Sequence, residues 1–174
     1  MIYTLTKGLG MLEALLSEDG QHWEPVGPFR YVRLSNMRHP ANGGQSIVAI
    51  ASLRIIDTRS GTDHALNKAV SGYSQFSTNY QYKNAVDASV TTLWISASDP
   101  GVLTEMSSVW FQVDLGEPRE FDSILISGRD TFGQVPGKFD ILGSVDGSNW
   151  ALLRSLTEEV TSAFGNLTEV LAIV

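Results

Sequence analysis

Between residues 109 and 115 the chain alternates cleanly: Val109, Phe111, Val113 and Leu115 fall on one face, and Trp110, Gln112 and Asp114 on the other. A period of two predicts a half-buried strand, because successive strand side chains point to opposite sides. The runs YVRL (31–34), SIVAIASLRII (46–56), SILIS (123–127) and FDILGS (139–144) predict further strands, each bounded by Gly, Pro, Asn or Asp. Helical signal is thin. Residues 9–16 and 156–163 allow a turn or two but carry no long apolar stripe. Many short strands joined by long polar connections predict an all-β antiparallel sandwich or jelly roll. Trp94, Trp110 and Trp150 stand in or beside strands and are expected in its core.

One pattern is written twice. SEDGQHW (17–23) and SVDGSNW (144–150) share Ser-x-Asp-Gly-x-x-Trp. Asp-Gly tolerates the positive φ of a tight turn, so each copy predicts a hairpin whose tryptophan begins the return strand. A tandem duplication is not expected, because 174 residues are too few for two ordinary domains.

Composition narrows the picture. With 43% hydrophobic and 18% charged residues the chain reads as a folded protein. No apolar stretch approaches a membrane span, so no membrane insertion is expected. MIYTLTKGLGMLEALL lacks the basic start and small-residue cleavage site of a signal peptide, and Met1 reads as the start of a protein made in a cytoplasm. The absence of cysteine excludes disulfides, thiolate metal sites and a cysteine nucleophile. A formal charge of −7 argues against nucleic acid; Arg30, Arg33 and Arg38 form the densest basic cluster.

Three segments in order, NAVDASVTTLW (84–94), WFQVDLGEPREFDSILISGRD (110–130) and KFDILGSVDGSNW (138–150), resemble the discoidin family. This family is also called the coagulation factor V/VIII C-type domain and includes the family-32 carbohydrate-binding modules. The resemblance implies a galactose-binding-like jelly roll. In that family the closing strands follow the hairpin, whereas here the stretch that resembles them, FRYVRLSNMRHPANGGQSIVAIASLRI (29–55), comes first. The resemblance therefore implies a circularly permuted domain at 29–156. Residues 1–28 would be a segment carrying the extra hairpin, placed either against a neighbouring copy or partner or over a sheet edge of its own chain, and 157–174 an extension holding a packing strand.

Permuted domains of this kind resemble modules of bacteriophage tails and virions. The resemblance thus implies a virion protein, assembled in the host bacterial cytoplasm, whose partners are a host-surface glycan, other virion proteins and further copies of itself as a homo-oligomer. Relatives bind sugars on loops at one end of the sandwich. The matching loops offer Tyr73, Phe76 and Tyr80 in the first and Arg129, Asp130 and Phe132 in the third, with Arg38 and His39 from the permuted connection. Aromatic rings stack on sugar faces, and Arg, Asp and His hydrogen-bond hydroxyls. An internal Arg129–Asp130 bridge over a tucked Phe132 is the other reading of the third loop. Relatives also often hold a structural Ca²⁺, for which the matching positions are Asp87, Thr92 and Ser52. Ala88 in place of glycine and Ser52 in place of glutamate weaken that site.

Enzyme motifs are missing: there is no Gly-x-Ser-x-Gly, no His-Glu-x-x-His, and His22, His39 and His64 lack ligand spacing. The expected function is therefore non-catalytic. It is either glycan attachment or, as the alternative, a structural virion role in assembly without sugar binding.

Overall fold

The computed structural model describes residues 26–38, 46–103, 107–129, 134, 136–156, 162–164 and 167–173. Its strands are β1 (Val26–Arg38), β2 (Ala49–Ile50), β3 (Ser52–Asp57), β4 (Thr62–Asp63), β5 (Ala69–Gly72), β6 (Trp94–Ile95), β7 (Phe111–Phe121), β8 (Ser123–Arg129), β9 (Lys138–Ser144), β10 (Ala151–Leu156), β11 (Ser162–Phe164) and β12 (Leu167–Ile173). They form two five-stranded sheets, ordered β10-β9-β1-β7-β5 and β11-β12-β8-β3-β4, with β2 and β6 as a separate pair. Every pairing is antiparallel. Among the described residues no helix is long and apolar enough to cross a membrane.

The sheets form a sandwich because their alternating faces are apolar. Val32 and Leu34 of β1, Phe111, Val113 and Leu115 of β7, and Phe139 and Ile141 of β9 join Leu53, Ile55, Ile124 and Ile126 of β3 and β8 in one core. The alternation read between residues 109 and 115 holds. Trp94 lies in that core, fully buried. Trp110 and Trp150 do not, which corrects the expectation for them: both are half-buried and flank Arg33, with its Cζ 4.7 Å from one ring centroid and 4.0 Å from the other. Trp110 occupies the outward position of its strand, so the core was closed to it.

Two further readings change in detail. The run 46–56 is not one strand: it breaks at Ala51, whose N–H donates to Ser127, while β2 pairs with β6 and β3 with β8. Within 156–163, Leu156 ends β10 and β11 begins at Ser162; residues 157–161 lie outside the described set. The first copy of the repeated hairpin, at 17–23, lies outside it too. The second copy turns as its Asp-Gly predicts. Gly147 has φ +77°, and the Asp146 carboxylate accepts hydrogen bonds from the Ser148 and Asn149 N–H groups, both at 2.8 Å.

β7 runs away from one end of the sandwich, turns at Asp122 and returns as β8. That end therefore collects the chain leaving β1, β5 and β8 and the chain entering β7, β9 and β12.

Candidate functional site

The connection after β5 is pinned at several points to the strands below it. The Tyr73 N–H donates to Trp110 O, Phe76 N–H to Ile95 O, and Ala97 N–H to Ser74 O, each at 2.7–2.8 Å. Gln75 bridges to Ser96. A loop tied this often has its backbone ordered before any ligand binds, which lowers the ordering cost of binding. Phe76 stands out from it, 59% exposed. Its ring meets Tyr80 edge-to-face, centroids 6.2 Å apart, so the two aromatics form one apolar corner. Tyr73 plays a different part. It is packed against the core, and its carbonyl, like that of Gly72, accepts a hydrogen bond from the Tyr82 hydroxyl.

Alongside runs the segment 96–99, bound to the stretch before β2: Ser96 Oγ accepts from Val48 N–H, Asp99 N–H donates to Ser46 O, and the Ser46 and Ser98 hydroxyls lie 2.6 Å apart. Asp99 shapes the connection that follows. Its carboxylate accepts from Gly101 N–H and from the N–H and hydroxyl of Ser108. Partial burial pulls its pKa up, but these bonds outweigh burial and hold it below the usual carboxylate value.

Of the remaining expected sugar contacts, two are described. Arg38 ends β1, half-buried and in register with Lys138; Arg129 ends β8 opposite Leu167. His39, Asp130 and Phe132 lie outside the described residues. Phe76 and Tyr80 are thus the pair that the described structure brings into contact.

The calcium positions fall on another part of the molecule. Asp87 accepts from Ser89 N–H and from the Thr92 hydroxyl, the latter at 2.8 and 3.1 Å from its two oxygens. Ala88 adopts φ +64°, the left-handed conformation that glycine reaches more easily. Ser52 lies across an open groove of about 320 Å³ on the second sheet, together with Ala88, Val90, Leu66 and the paired Arg54 and Asp63. These residues do not fit a shell of six to eight hard oxygens. Asp87 is the one carboxylate among the three positions, and its oxygens already serve its own loop. Among the described residues no three His, Cys, Asp or Glu side chains cluster as metal ligands.

One arrangement was missed from the sequence: the Arg33 guanidinium packed against both Trp110 and Trp150. The available signal was that Arg33 and Trp110 both sit at outward positions of the alternating pattern; Arg33 pairs with Gln112, and Trp110 lies two residues from Gln112 on the same face.

The family model of the F5/8 type C domain matches residues 69–171, more than half of the chain. The chain belongs to the F5/8 type C family. In this F5/8 type C domain the matched span runs from β5 into β12. β1 and β3 precede the span, yet β1 is the central strand of its sheet and β3 lies between β8 and β4. No curated protein and no solved structure matches the chain. Family membership suggests binding of carbohydrate or another ligand.

Proposed function

We propose that this F5/8 type C domain is a non-catalytic module of a bacteriophage tail or virion that binds host-surface carbohydrate through the loops at one end of its sandwich. The observation that carries the reading is the exposed Phe76 ring, braced by Tyr80 on a loop tied to the strands beneath it. The exposed Phe76 ring offers a flat apolar face to the C–H face of a sugar ring. Attachment is weak per site and gains strength from many copies in a homo-oligomer or on a virion, through effective concentration. The interior places of β1 and β3, ahead of the matched span, support the permuted strand order that accompanies the phage reading.

The test is binding of the labelled chain to bacterial surface polysaccharides beside a Phe76→Ser/Tyr80→Ser variant. The variant is expected to keep its melting temperature and to bind at least tenfold more weakly, a loss of about 1.4 kcal/mol or more. Equal binding by the variant would remove the loop site from the proposal. A second reading, a structural virion component in contact with other virion proteins, is favoured by two exposed apolar side chains at the opposite hairpin, Val145 and Leu152, the latter 62% exposed. It gains the lead if the wild-type chain binds no polysaccharide even as a multimer.

A further inference from the structure

Arg30, Arg54, Arg59 and Arg119 each reach a carboxylate. Arg33 reaches none among the described residues. Its Nε and Nη2 both donate to Gln112 Oε1, at 3.1 and 2.7 Å, which leaves Nη1 without a partner in the described structure. The Arg33 Cζ also lies 4.7 Å from the Trp110 ring centroid and 4.0 Å from that of Trp150. Gln112 and the two indoles therefore orient the cation, and Arg33 is still partly exposed to solvent.

An arginine in this setting differs from a solvated surface arginine. The neighbouring indoles displace part of its hydration, so a hydrogen bond to the remaining Nη1 is worth more than in bulk solvent. Burial accordingly pulls the Arg33 pKa below its ordinary value. The geometry of the edge suits a planar carboxylate. The indole rims beside it supply apolar surface for a ring bearing that carboxylate.

We propose that the Arg33–Trp110–Trp150 stack is a second contact surface, which takes the carboxylate of an acidic sugar of the uronate class edge-on at Nη1. The inference rests on the carbohydrate reading and deepens it, making the recognised glycan an acidic one. Arg33 lies mid-strand on the outer sheet face and Phe76 on the loops at one end, so the two surfaces can be tested apart.

The experiment is an NMR titration following the indole N–H signals of Trp110 and Trp150, assigned with single Trp→Phe variants. The probes are oligogalacturonate, its methyl ester, a neutral galactose oligomer and a short polyglutamate peptide. Oligogalacturonate is expected to move both signals and its methyl ester to bind at least tenfold more weakly. Arg33→Lys should lose the response to a similar degree. The ester comparison leaves the protein unchanged, so it decides the matter even if Arg33→Lys folds poorly. Unmoved signals, equal binding of acid and ester, or tighter binding of polyglutamate at the same indoles would each overturn the inference, the last in favour of an acidic peptide. If Phe76-dependent binding of neutral sugar persists while oligogalacturonate fails, this inference alone falls. If every sugar fails, the carbohydrate reading falls with it.

Discussion

Ala88 holds a backbone conformation that costs an L-residue about 1–2 kcal/mol, at φ +64°. Glycine would relieve that strain, although it adds freedom to the unfolded chain worth about 0.4–1 kcal/mol. Ala88→Gly should therefore stabilise the protein by about 0.5–1 kcal/mol, a rise in melting temperature of about 1–4 °C by scanning calorimetry. The discoidin pattern expects glycine at this position, so the departure was legible in the sequence. That the loop keeps the glycine conformation despite the departure was not. The Asp87–Thr92 and Asp87–Ser89 hydrogen bonds hold the turn across Ala88, and such bonds follow from geometry rather than from residue types alone.

The second Ser-x-Asp-Gly-x-x-Trp hairpin owes its place beside β1 to a small residue. A Cβ on Gly143 would stand 2.8 Å from the Phe29 ring, and Val32 pairs with Gly143 in the register of β1 and β9. Gly143→Ala should cost about 1–3 kcal/mol by overpacking. Phe29→Leu in the same chain should recover part of that loss, and a double-mutant cycle on chemical unfolding measures the coupling. Aligned on their shared pattern, the residue before the serine is Gly143 in one copy and Leu16 in the other. The two copies are thus not interchangeable beside β1, because only the glycine leaves room for Phe29. The repeated motif predicted both hairpins but could not rank them, since the deciding contact comes from a residue more than a hundred positions away in the chain.

At the scale of the whole molecule, stability should fall on the acid side. Backbone N–H groups of Asn149 and Ser148 hold Asp146 far below the usual carboxylate value, and the Arg30 side chain does the same to Asp114 with less effect. Asp57 is partly buried, which raises its pKa, but bonds from Arg59 and Ser60 outweigh this. A carboxylate with a lowered folded pKa stabilises above its unfolded value, and that stability is lost as pH falls through the folded one. His64 adds an earlier step. Burial first, and then Arg119, lower its pKa against the pull of Asp57 and Asp63, so unfolding takes up a proton below about pH 6.5. Melting temperature should hold between about pH 7 and 8, decline gently below about 6.5 and drop steeply below about 4. His64→Gln should remove the gentle part, and a melting temperature that rises on acidification would contradict the assignment. The sequence by itself determined the strand class, the hairpin turn at 144–150, the inward set Val109, Phe111, Val113 and Leu115, and the family resemblance that the family match bears out. All of these are local, written in a period of two and in short motifs. Only the tertiary structure decided that the run 46–56 divides at Ala51 and that 167–173 pairs along the full length of β8. It alone placed Trp110 and Trp150 around Arg33 outside the core. Alternation says which residues share a face, but which face is covered, and by what, depends on strands that meet only once the chain has folded.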